Sequence, residues 1–203
     1  MALDQVDVDN MKEESEMSFL DHLEALRWHL VRSVVALLVF AIGFFIAKDF
    51  TTFILFWPRL KEFPTYEFFC NMAEVICFFP PEFTLDIKAM HEAFLTHIRV
   101  SVIFGLVVAF PYLFWEVWRF IKPALLKNEL KAARGIVFSC SSLFISGVTF
   151  GYFVLTPFAI TFLSNYEFGA GVDFEPNLSD YVSSIILFTL PVGIIFQMPV
   201  AVY

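Results

Sequence analysis

From Gly135 to Tyr166 the chain contains no Asp, Glu, Lys or Arg. At about 1.5 Å of rise per helical residue, such a run is longer than the roughly 30 Å hydrocarbon core of a bilayer requires. Other apolar runs accompany it. Leu30 to Ala47 carries only Arg32, Val100 to Trp115 extends to about Ile121, and Tyr181 to Tyr203 is uncharged. Within lipid each backbone amide must find its partner inside the segment, so runs of this length become helices. Composition agrees, since 59% of residues are hydrophobic and 28 are Phe, above the roughly 45–50% apolar usage of soluble domains. Too little polar chain remains to enclose a soluble core. The fold class is therefore an all-α polytopic membrane protein, with transmembrane helices over about residues 30–47, 100–121, 135–157 and 181–203.

Residues 18–203 read as a single membrane domain preceded by an acidic tail, 1–17, whose charge predicts disorder. Asp21 reads as a helix cap, with Glu24 in the capping-box position three residues on. Residues 48–98, broken by Pro58, Pro64, Pro80 and Pro81, form a cap outside the membrane. In that cap Asp49 to Trp57 lies at the interface and Glu82 to His97 forms a short helix. Pro111 should kink the second span, because proline lacks the amide hydrogen and clashes with the preceding turn. Pro157 should end or bend the third, leaving Phe158 to Tyr166 to run along or out of the interface. After the fourth run no polar flank follows Tyr203, which reads as a truncated carboxy terminus.

Charge sets the orientation. The loop 116–134 gathers Arg119, Lys122, Lys127, Lys131 and Arg134 against Glu116 and Glu129, whereas residues 164–180 hold Glu167, Asp173, Glu175 and Asp180 with no Lys or Arg. Lys and Arg concentrate in short cytoplasmic loops. The amino terminus and the 116–134 loop are thus expected in the cytoplasm, and the 48–98 cap and 164–180 loop on the outer side. The net charge of −8 reflects the acidic tail more than a surface.

Few residues offer covalent or metal chemistry. His22, His29, His91 and His97 fall on opposite membrane sides in pairs and make no metal or haem set, and hydrolase and phosphate-binding motifs are absent. No cofactor, metal or nucleic acid is expected. Cys70 and Cys77 are candidates for a disulfide in the cap, but on one straight helix they would stand about 10 Å apart, so a bridge needs a bend between them. Cys140, inside the third span, should stay reduced.

HLEALRWHL (His22 to Leu30), VWRFIKPALLKNE (Val117 to Glu129), YFVLTPFAITFL (Tyr152 to Leu163) and FQMPVAV (Phe196 to Val202) occur in that order. Together they make the chain resemble the TatC family of the twin-arginine protein translocase, over about residues 18 to 203. The resemblance implies a cupped arrangement of six helices, of which four are in view. It also implies a multi-pass protein of the bacterial cytoplasmic membrane that receives the twin-arginine signal peptides of folded proteins. The implied partners are small single-span subunits of the TatA and TatB type, in homo- and hetero-oligomers within the lipid bilayer. The resemblance further implies transport driven by the proton-motive force and a chain that is not an enzyme.

Recognition of paired arginines calls for carboxylates, because a guanidinium fork meets a carboxylate bidentately. Glu129 matches the family's glutamate at the end of the basic loop and is the leading candidate. Phe120 and Pro123 match positions tied to signal binding and loop shape, and Glu24 and Arg27 belong to the amino-terminal motif. Where relatives commonly carry a Glu and a basic residue, this chain has Ala25 and His29. Pro58 matches a proline of the first outer loop, and Pro111 is expected to shape the second span. Gln197 stands where many relatives place a membrane-embedded Glu. A neutral amide there cannot titrate but can hydrogen-bond a partner helix. A competing expectation is a solute or ion carrier, which the proline-broken spans permit. Against it, the third and fourth runs hold no ionisable residue deep in the membrane.

Overall fold

The computed structural model describes residues 3–72, 79–80, 83–122, 135–166 and 176–202. Helix α1 is Leu3–Ile46, α2 Lys48–Phe56, α3 Pro64–Met72 and α4 Glu92–Ile121, with a 3-10 turn Trp57–Arg59 between α2 and α3. Helix α5, Ile136–Phe150, passes through a π turn, Gly151–Leu155, into α6, Thr156–Ser164; α7 is Leu178–Ile195 and α8 Met198–Val202. Among the described residues four helical stretches are long and apolar enough to cross a membrane: Leu26–Ile46, Glu92–Ile121, Ile136–Ser164 and Leu178–Val200.

Three boundaries differ from the sequence reading. No Gly or Pro occurs before Gly43, and α1 accordingly begins at Leu3 and runs through the acidic stretch without a break. Position 21 lies inside that helix and not at its start, so the capping-box reading of Asp21 and Glu24 lapses. In place of a separate helix over Glu82 to His97, residues 83–85 have no regular structure and α4 starts at Glu92. What fixes that start is Glu92 itself. Its carboxylate accepts hydrogen bonds from the amides of Lys88 at 2.8 Å, Ala89 at 3.3 Å and Ser179 at 3.0 Å, so one side chain closes the turn before α4 and ties it to the start of α7.

Pro157 does not end the third span. A proline deprives the carbonyl four residues back of its donor, here Phe153. The helix widens into the π turn, and the freed Phe153 carbonyl accepts from the Thr65 hydroxyl of α3. Helix α6 then continues to Ser164. Likewise α4 remains helical through Pro111. Helix α7 begins on Asn177, whose side chain accepts from the Asp180 amide at 2.7 Å, and it ends in a turn at Phe196 and Gln197 before Pro199.

Helix α1 packs most extensively against α4. A side-chain carbon on Gly105 would come within 2.7 Å of the Ala41 backbone nitrogen, so glycine sets how closely those two helices approach. Glycine does the same between α5 and α7, where a carbon on Gly147 would meet Gly193 Cα at 2.9 Å. Small residues allow this close approach in lipid, where no hydrophobic force pulls helices together.

The buried core lies at the cap end. Leu55, Val100, Ile160, Tyr181, Val182 and Ile185 pack together there, beneath Phe63 and Tyr66, which are both fully enclosed. Hydroxyls fasten this end to backbone carbonyls: Tyr66 to Pro58 at 2.8 Å, Tyr152 to Ile54 at 2.5 Å and Tyr181 to Leu55 at 3.1 Å. Burial raises the Tyr66 phenol to about 12.

Candidate functional site

At the opposite end of α1 and α4 lies a carboxylate that the sequence reading did not single out. Glu116 is 1% exposed. It sits in the last turns of α4, where the helix faces α1. Its Oε2 meets His29 Nδ1 at 2.5 Å, its Oε1 accepts from the Tyr112 hydroxyl at 2.9 Å, and Arg119 Nη1 approaches Oε1 at 3.9 Å. Tyr112 and Glu116 are one helical turn apart, so both reach the same face. Arg119 in turn lies over the Trp115 ring, 5.0 Å from its centre. A carboxylate withdrawn from solvent needs such partners, because its unpaired burial costs several kcal/mol.

The next turn of α4 brings Phe120 to the same place. Its half-buried ring meets the His29 ring edge-on, with centres 6.2 Å apart. His29 thus touches both Glu116 and Phe120, joining the amino-terminal motif on α1 to the start of the basic loop. Glu24 and Arg27 are exposed on α1. Lying five and two residues before His29, they point roughly 140° or more around the helix from it. They face away from α4 and are open to a ligand. Glu129 and Pro123, with most of the basic loop, lie outside the described residues.

The remaining sequence candidates are structural in their visible contacts. Pro58 is fully enclosed, its carbonyl held by Tyr66. Pro111 is half-buried within α4. Gln197, in the turn after α7, donates from Nε2 to the Cys140 carbonyl at 3.0 Å, and its buried Oε1 has no partner among the described residues. It lines a groove of about 290 Å³ with Trp118, Cys140 and Val200. Cys70 is disulfide-bonded, Cys140 is a buried free thiol, and Cys77 lies outside the described residues. Among the described residues no group of His, Cys, Asp and Glu could hold a metal ion.

One signal could have located Glu116 from sequence. An acid within an otherwise apolar run, close to the membrane end, must find a partner. His29 supplies it.

Comparison with known proteins gives these positions a context. A family model described as TatC, Sec-independent protein translocase protein, matches residues 21–203. The TatC protein of Blattabacterium sp. subsp. Periplaneta americana is 36% identical over 199 residues, covering 94% of this chain and 75% of that protein. The TatC of Magnetococcus marinus is 31% identical over 194 residues, covering 94% of this chain and 64% of its own length. The crystal structure of the twin-arginine translocase receptor TatC in DDM superimposes with a TM-score of 0.70 at 27% identity, covering 90% of this chain and 74% of that one. A second crystal structure of the receptor gives 0.68 at 29% identity, with 89% and 72% covered.

Proposed function

The chain belongs to the TatC family of Sec-independent protein translocase proteins, and from that premise we propose that the end carrying His29, Glu116 and Phe120 receives twin-arginine signal peptides. The protein is an integral membrane component of a protein translocase. In this reading Glu129 supplies the carboxylate for the signal's guanidinium pair, Phe120 an apolar wall beside it, and Glu24 and Arg27 the polar face of α1. Pro123 shapes the loop that carries Glu129. Glu116 is itself a poor receptor group, since its acceptors are taken by His29 and Tyr112. It holds α1 against α4 so that the two halves of the site keep their spacing.

The observation that carries this reading is the meeting of Phe120 with His29, which sets loop and amino-terminal motif side by side in a chain of this family. The remaining functional assignments follow. The chain acts by binding and assembly, without a covalent step of its own. It works with single-span subunits of the TatA and TatB type in the bacterial cytoplasmic membrane, amino terminus inside, and the proton-motive force drives transport. The solute-carrier reading draws no support from the relatives.

Photo-crosslinking tests the assignment. A probe at Glu129 should capture a twin-arginine peptide and not its Lys-Lys counterpart, in membranes holding the full-length protein. Capture of both peptides equally, or of neither by properly inserted protein, would remove Glu129 from the site.

A further inference from the structure

At the end of the bundle away from His29, a cleft of about 390 Å³ opens between α2 and the first turns of α4. That volume is within the range of about 300–1,000 Å³ typical of small-ligand sites. Its lining combines apolar Leu55, Phe94 and Val100 with polar Lys48, Thr52 and His97. Lys48 is the second residue beyond α1, which is apolar up to Ile46. The cleft therefore lies where hydrocarbon gives way to lipid headgroups.

Two groups in it are unspent. The His97 ring stacks on Phe45, 4.5 Å between centres, yet its Nε2 is buried without a hydrogen-bond partner among the described residues. Leaving a buried polar atom so is costly. Lys48 makes no ion pair among the described residues, where the ion pairs belong to Glu116. Neither nearby acid offsets it. Asp49 is the adjacent residue on the helix, pointing about 100° away, and the Glu92 carboxylate is occupied by the amides of Lys88, Ala89 and Ser179.

We propose that this cleft binds an anionic phospholipid of the surrounding bilayer, its phosphate accepting from the Lys48 ammonium and from His97 Nε2–H, and its chains lying on Leu55, Phe94 and Val100. A partner helix is excluded by size, since a helix is about 10–12 Å across with its side chains. A free anion would leave Leu55, Phe94 and Val100 without an apolar occupant. The inference is independent of the signal-receptor reading.

Native mass spectrometry of the detergent-solubilised full chain tests it, with phosphatidylglycerol, phosphatidylcholine of the same acyl chains, and inorganic phosphate as probes. The wild type should retain phosphatidylglycerol at least fivefold better than phosphatidylcholine. Lys48→Gln with His97→Phe should remove that preference, and Lys88→Gln, a cation outside the cleft, should leave it unchanged. Equal retention of the two lipids by the wild type, or unaltered preference in the double variant, overturns the proposal in favour of non-selective boundary lipid. Displacement of the lipid by inorganic phosphate at equal concentration overturns it in favour of an anion site. Should the double variant fail to fold, the single Lys48→Gln change at an exposed position decides the matter by the same readout.

Discussion

The two ends of the helix bundle are held together by different chemistry. At the cap end, neutral hydroxyls of Thr65, Tyr66, Tyr152 and Tyr181 donate to backbone carbonyls of other segments, around an enclosed cluster of aromatic rings. At the other end, one ionisable contact between His29 and Glu116 joins α1 to α4, and Glu24 and Arg27 are exposed on the far side of α1. Neutral donors on backbone acceptors do not depend on protonation below the phenol range, whereas a carboxylate facing an imidazole does. The cap end is thus held by contacts that do not change with protonation below the phenol range. The other has a joint whose strength depends on its surroundings, which suits the end assigned to ligand capture.

The sharpest way to break this contrast is to empty the cap. Phe63→Ala removes a fully enclosed ring and should lower stability by about 3–5 kcal/mol, read as an earlier thermal transition in detergent. Crosslinking of a twin-arginine peptide at Glu129 should persist at temperatures where the variant is folded. Loss of crosslinking in the folded variant would show that the ends are not independent.

Glu116→Ala should come next, because it strands His29 and Tyr112 together. About 3 kcal/mol is expected from breaking a buried pair, with reduced peptide capture. The coupling of His29→Ala to Glu116→Ala in a double-mutant cycle should be about 1–3 kcal/mol. Strictly additive effects would mean that the contact does not bind α1 to α4. A smaller effect is expected from Tyr66→Phe, which leaves the Pro58 carbonyl unpaired inside the cap and should cost about 1–3 kcal/mol without altering peptide capture.

The smallest effect is one of pH. Tyr66 has a folded value of about 12 against an ordinary 10.0, so the fold favours the protonated phenol. Its contribution is complete below pH 10 and declines as the pH rises toward 12. Alkaline titration should therefore loosen the cap of the wild type in that window, and Tyr66→Phe should flatten the response. An identical alkaline profile in both proteins would assign the loss to other groups.

Much of this architecture was legible because lipid leaves few choices. Uncharged runs gave the spans, and Pro157 correctly marked an irregularity in the third. What the sequence pattern did not reveal was how the interruptions are resolved. Pro157 reads as a stop or a bend when only its own helix is considered, and Thr65, far away in the chain, supplies a donor to the carbonyl that the proline frees. The Glu82 to His97 segment misled for a similar reason, since the start of α4 is decided by the reach of Glu92 to Ser179 on α7. Glu116 was counted as one charge of a basic loop, although position within an apolar run should have marked it as requiring a partner. Its partner, His29, stands 87 positions away in the chain, on α1. The exposed positions of Glu24 and Arg27 are compatible with the roles proposed for them.

The π turn at Gly151–Leu155 also governs how changes of chain length would propagate. A turn closed five residues apart contains one residue more than an α-helical turn. The sequence on its two sides is therefore out of phase, and α6 presents a face rotated by about 100° from the one a uniform helix would present. Deleting one residue within the turn would restore phase while swinging Pro157 and Ile160, both buried, out of their seats. Lengths that are harmless in a loop are thus fixed here to the single residue, inside the membrane.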